Sequence, residues 1–348
     1  MSRQSQSAGD NSTQILASGD VIVGVTEERA REISEITARE VLSKYAEEGI
    51  RTIQERIAKL DDKIIASLIR EGHLEVFTDP GFQRSYKHAQ EGAAVSDRES
   101  DYDLLSGLLI DRAKRGETRT IRAGIERSIE IVDQIDDEAL RGLTVLQAIL
   151  QYVPTARHLS NGLDTMASLF EDLIDGPLPL GADWLDHLDI LDAIRINQMI
   201  PLKPFPDYYP SQMIGYLASG QKLESFEWPF TEDNLPLPID DIVLEHELRP
   251  GYVRLAVADE DTLVKIGMDG SLAAKIIDHA RDTMGFGEVD PSLVDPFMEK
   301  LRCRPTLSKI EEWWTQIPFF PQITAVGRVL ARANALRLDV RNVLPPID

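Results

Sequence analysis

The chain has little of what catalytic and compartment signatures are made from. Its 348 residues include one cysteine, Cys303, so no intramolecular disulfide forms and no cysteine pair holds a zinc ion. It has no GxxxxGK[ST] phosphate loop, no GxSxG nucleophile elbow and no HExxH pair. No run approaches the roughly 18 consecutive apolar residues of a spanning helix, and the opening "MSRQSQSAGD" lacks the apolar stretch of a signal peptide. A cytoplasmic protein without membrane contact is the expectation. Aromatic residues make up only 6%, and 37 basic residues face 59 acidic ones, a formal net charge of -22. That charge favours solubility and opposes broad attraction to phosphate-rich surfaces, so a nucleic-acid partner is not expected.

What is present is an ordinary globular composition, 43% apolar, long enough for two or three domains around a sizeable core. Near the start, "GDNSTQILASGDVIVG" (residues 9–24) repeats a Gly-Asp turn former at Gly9 and Gly19. Thr13, Ile15 and Ala17 alternate after the first pair, and Val21, Val23 and Val25 after the second, which reads as a two-stranded ribbon over 1–25. An isolated hairpin buries too little surface to offset its lost entropy, so it needs a partner. That partner is either its own chain or the same segment of another subunit.

Thr26 is a suitable N-cap, and Glu27 and Glu28 place negative charge in a first helical turn. Ala30, Ile33, Ile36, Val41 and Tyr45 fall roughly on one face, and after Gly49 the residues Ile50, Ile53, Ile57, Leu60 and Ile64 follow the three-four spacing of a short heptad seam. Residues 26–75 therefore read as a helical oligomerisation segment, with packing on the chain's own core an equal explanation of the seam. A homo-oligomer is the expected state.

"GDNSTQI" followed by "GDVIVG", together with the C-terminal "ITAVGRVLARANALRLDV", resembles a family of uncharacterised, mostly helical bacterial proteins. The resemblance implies a helical fold and a bacterial setting such as defence or stress. It transfers no activity, cofactor or site residue to this chain.

Beyond residue 75 the spacing predicts helices from Pro80 onward, then over 99–115, 118–134, 137–152, 162–174 and 182–198, joined by short connectors that imply a bundle over 76–200. Eight of the nineteen prolines lie between Pro201 and Pro250, where long helices are excluded. Phe205, Tyr208, Tyr209, Phe226, Trp228 and Phe230 make this stretch too aromatic for a disordered linker, so 201–262 reads as an ordered connection with a strand over 252–259. Helices over 271–284, 293–302, 306–315 and 322–335 imply a small C-terminal helical domain, 263–348. Adjacent Trp313 and Trp314 should divide between core and surface. The expected fold is mainly α: a helical bundle with a short N-terminal β-hairpin, a proline-rich irregular and β insertion, and that C-terminal domain.

Chemistry-bearing clusters are few. "DWLDHLDILD" spaces Asp183, Asp186, Asp189 and Asp192 by three residues with His187 among them, inside a stretch, 164–192, that holds eight carboxylates and no Lys or Arg. Asp183, Asp186 and His187 are metal-ligand candidates, but the spacing drifts around a helix and no second Glu-x-x-His unit completes a two-metal site. A solvated acidic face, or one that docks a protein partner, is the simpler reading. Arg328, Arg332, Arg337 and Arg341 make the C-terminal helix basic, a natural intramolecular partner for that face. His246 between Glu245 and Glu247 suits a surface histidine, or one with a raised pKa. Cys303, flanked by Arg302 and Arg304, reads as a buried or inert thiol. "GFGEVD" (285–290) is a helix-ending turn. No cofactor is expected. The leading function is a non-enzymatic, self-associating scaffold assembled through the β-segment and first helices. The alternative is a metal-dependent hydrolase or nuclease using the carboxylates near Asp183–Asp192.

Overall fold

Asp79 shows how directly local chemistry becomes structure. Its carboxylate accepts hydrogen bonds from the N–H groups of Gly81 (2.9 Å) and Phe82 (3.2 Å), and Pro80 takes the first helical position, where its missing N–H costs nothing. The helix it starts is the second of a long series in a computed structural model that describes residues 27–116, 118–197, 199–231, 235–257 and 259–345. The ribbon expected over 1–25, with Thr13, Ile15, Val21, Val23 and Val25, lies outside the described residues.

In chain order the helices are α1 (Glu27–Glu71), α2 (Pro80–Val95), α3 (Glu99–Arg115), α4 (Arg119–Ile131), α5 (Asp137–Gln151), α6 (Leu159–Leu173) and α7 (Asp183–Ile190), followed by strand β1 (Ile194–Asn197). The proline-rich stretch holds the short helices α8 (Phe205–Tyr208), α9 (Ile214–Leu217) and α10 (Ile239–Ile242), with strands β2 (Gln221–Lys222), β3 (Val243–Glu245) and β4 (Tyr252–Leu255). Then come α11 (Glu260–Lys265), α12 (Gly270–Met284), α13 (Val294–Arg302), α14 (Pro305–Trp314), β5 (Phe320–Ile323) and α15 (Ala325–Leu338). The fold is mainly α with small antiparallel β elements, as the spacing predicts.

The chain divides into two units, residues up to Glu55 and residues from Arg56. In the first, the described residues are the N-terminal stretch of α1, and all of the side chains described there are exposed. Gly49 does not interrupt the helix.

In the second unit, Leu60, Ile64 and Leu68 of α1 are fully buried with side chains of α2–α7 and of α13–α15 in one large core. Helix α15 packs against α3, α4 and α5, so residues 293–335 complete the bundle instead of forming a separate C-terminal domain. Close approach is what places α15 there. Gly327 sits so near the Ala193 carbonyl that a Cβ would come within 2.0 Å of its oxygen. The Thr324 hydroxyl donates to the Asp192 carbonyl (2.6 Å) and accepts from the Gly327 N–H (3.1 Å), capping α15 while fastening it to the segment before β1.

A second core gathers Ile242, Val243, Val253, Leu255, Leu263, Ile276, Ile277 and Met284, with Phe226, Trp228 and Phe230 packed against it. Its three-stranded sheet has the order β2-β4-β3. The expected 201–262 and 263–348 segments therefore exchange residues: 263–286 belong with the aromatic connection. Gly285 ends α12 in the left-handed conformation (φ 64°), the helix-ending turn expected there.

Two expectations are corrected by long-range contacts. The helix expected over 182–198 stops at Ile190; Asp192 turns the chain at φ 62°, and Ile194 and Ile196 enter a strand paired antiparallel with Phe320–Ile323. Pro321 in β5 gives that stretch a loop-like appearance, so the pairing is invisible to local spacing. Trp313 and Trp314 are both buried, at 4% and 1% exposure. Their rings leave the helix in different directions, yet each meets a wall: Trp313 donates to the Pro179 carbonyl beside Trp184, and Trp314 donates to the Lys203 carbonyl and stacks on Tyr208.

Candidate association surface and the polar clusters

Residues 27–55 of α1 carry apolar side chains that their own unit leaves uncovered. Leu42 is 68% exposed, Tyr45 66% and Ile50 56%, with Ile33, Ile36, Val41 and Ile53 also exposed. At 100° per residue, Leu42 falls within about 20° of Ile53, and Ala38 and Ala46 flank the same line. Leu42 thus belongs to the seam that Ile50 and Ile53 mark, although spacing arguments that restart after Gly49 miss it. Ile33, Ile36, Val41 and Tyr45, expected on one face, instead spread over about half of the helix circumference. Polar surface along the same stretch is laced by Arg29–Glu32 and Arg31–Glu35 pairs, exposed contacts of the kind that add little stability. Of the seam residues in the second unit, Leu60 and Ile64 are core and Ile57 is partly buried.

The acidic stretch is largely answered within the chain. Arg341 reaches Glu171 (3.1 Å) and Asp172 (3.3 Å), the intramolecular pairing expected of the C-terminal arginines, and Arg304 holds Asp164 at 2.9 Å. Arg127 and Arg195 both pair with Asp192 and hold its carboxyl below the usual carboxylate range. Helix α7 buries Trp184, Leu185 and Leu188, leaving Asp183 and Asp186 exposed on its other side. His187 turns to α5, where its Nε2 accepts the Asp136 N–H at 3.3 Å. The Asp136 carboxylate lies 3.5 Å from His187, but among the described residues no group of three or more His, Cys, Asp or Glu side chains is arranged to hold a metal ion.

His246 departs from both sequence readings. It is 3% exposed, and burial, aided by the charges of Arg254 and Arg249, pushes its pKa down. The hydrogen bonds suit a neutral ring: Nδ1 accepts the Leu248 N–H (3.2 Å), which leaves Nε2 to donate to the Ala218 carbonyl (2.8 Å). Its neighbour Glu247 forms a bidentate pair with Arg254, at 2.8 and 2.9 Å, and accepts the Leu159 N–H at 2.9 Å. Burial raises the Glu247 pKa, but the Arg254 bonds and charge outweigh it and the net shift is downward. Arg254 also donates to the carbonyls of Arg157, Gly215 and Leu255 and lies over the Tyr216 ring. The cluster is a fully satisfied tie between the second core and the start of α6, with every guanidinium nitrogen of Arg254 already donating within the chain. The strand pattern of "YVRLAVAD" makes Arg254 appear to be a solvent-facing residue, so sequence reasoning missed it. Cys303 is exposed, so of the two readings of its thiol the buried one does not hold.

No helix among the described residues is long and apolar enough to cross a membrane. No curated protein and no solved structure matches the chain. A family model covers residues 24–342, most of the sequence, beginning at the last residue of "GDVIVG". With a match of that extent, the chain belongs to this uncharacterised family.

Proposed function

We propose that this protein is a self-associating interaction protein, copies of the same chain joining through residues 27–55 of α1. The observation that carries the proposal is the exposed apolar seam of Leu42, Ile50 and Ile53 on a long helix, with no buried side chain among those described in that stretch. Helices in proteins owe most of their stability to packing an apolar face, and burying one leucine or isoleucine contributes about 1.5–3 kcal/mol. Covering this seam with the same seam of another copy supplies that packing. Apolar residues elsewhere around the helix, Ile33 and Val41 among them, favour a bundle of several helices over a two-stranded coil.

Light scattering after gel filtration tests this. The full chain is expected at a multiple of 39.0 kDa, and a Leu42→Ser, Ile53→Ser double variant near a single chain's mass. A wild-type chain that runs as a monomer at tens of micromolar would sink the proposal.

A further inference from the structure

In a chain with 59 acidic and 37 basic residues, one cleft carries the opposite balance. It has a volume of about 300 Å³ and is lined by the ends of α3 and α5, the first turn of α4 and the first two turns of α15. Arg115, Arg328 and Arg332 line it, and no carboxylate does among the described residues. Asp111, outside the lining, neutralises Arg115 through a bidentate contact. Arg328 and Arg332 have no such partner: no described carboxylate lies within 4.0 Å of either. Arg328 is exposed and donates to the Ile323 carbonyl at 3.0 Å. Arg332 is partly buried, and its Nε is shielded from solvent with no hydrogen-bond partner.

Two further observations bear on what the cleft holds. Gln147, 3% exposed, donates to Gln151 at 2.6 Å, while its own side-chain oxygen is buried and unpartnered. A buried polar group left unmade is costly: the Arg332 Nε–H calls for an acceptor such as a phosphate oxygen, while the Gln147 oxygen, itself an acceptor, calls for a hydroxyl on the same ligand. Helix α4 presents its N-terminus here through Thr120 and Ile121; Thr118 makes no side-chain cap, and the first turn contains no acidic residue. Uncapped N–H groups and the positive end of the helix dipole favour an anion.

We propose that this cleft binds the phosphoryl group of a small phosphate monoester. Two uncompensated guanidinium groups match a dianion better than the single charge of a carboxylate, and the planar donor fork of arginine fits phosphate oxygens in pairs. Ile121, Val329 and the Tyr152 ring offer the organic part of the ligand an apolar wall. The site lies between Arg115 and Arg332 and uses no residue of the association seam.

Thermal unfolding of the full chain with inorganic phosphate, with phenyl phosphate, and with acetate at matched ionic strength tests the proposal. Both phosphates are expected to raise the melting temperature saturably, phenyl phosphate at the lower concentration, while acetate does not. Arg332→Gln and, separately, the exposed Arg328→Gln should each weaken phosphate binding about tenfold or more, the loss of a charge-assisted contact. Arg281→Gln, on the surface of α12, should leave binding unchanged. Should Arg332→Gln unfold, Arg328→Gln decides. The absence of a saturable shift, an equal response to acetate, or wild-type affinity in Arg328→Gln would each overturn the assignment.

Discussion

Two stretches of one helix carry the same kind of side chain and meet different fates. Over 56–71, Leu60, Ile64 and Leu68 are fully buried; over 27–55, Leu42, Ile50 and Ile53 stand in solvent. Spacing shows that both have an apolar face, and nothing in the spacing shows which face finds a partner within its own chain. The difference teaches that a seam is a demand for burial and that the rest of the fold decides who answers it. It also separates two kinds of consequence, since changes in the body should register as lost stability and changes in the arm as lost mass.

The largest expected effect lies in the body. Arg254→Ala strands Glu247 in a mostly buried site and removes several hydrogen bonds, so it should lower unfolding free energy by about 3–5 kcal/mol in urea titrations. A change below about 1 kcal/mol would show that the tie is dispensable. Next, Ile64→Ala should cost about 2–5 kcal/mol by leaving a cavity. The comparison would break if Ile53→Ala, eleven residues earlier, cost as much; a change within about 0.5 kcal/mol in the body's transition is expected for so exposed a position.

A smaller effect is set by pH. Because burial lowers the His246 pKa, the unfolded chain takes up its proton first as pH falls through about 6.5, and the unfolded state is then favoured. The contribution of His246 is present above that pH and is lost below it, toward its lower folded value. His246→Gln, which keeps a donor and an acceptor, should flatten the part of the stability profile between pH 7 and 5. An unchanged slope would remove His246 as its source.

Much of the body was legible because its cues are local. Asp79-Pro80 announced α2, the leucines of α3 and the isoleucines of α4 marked their own buried faces, and Gly285 closed α12 where a left-handed residue was needed. What escaped depended on distant partners. Ile194 and Ile196 continue a helical run in sequence, and only Phe320–Ile323 makes them a strand. Arg254 and His246 look polar and therefore exposed until the carbonyls of Arg157 and Ala218, on other elements, satisfy them in the interior. Arg332 presented a milder version of the same problem: its basic character was evident, whereas its isolation from the carboxylates that Arg341 reaches was not.

The position of α15 has a consequence for synthesis. Helices α3, α4 and α5 are made early, yet the surface they share is closed by residues 325–338, and β1 finds its partner only when 320–323 arrive. Until they emerge the nascent bundle exposes an apolar trough bordered by an unpaired strand, the kind of surface that aggregates or recruits chaperones. The bundle cannot close until residues 320–338 have emerged, and α15 is the helix that locks α3, α4 and α5 together.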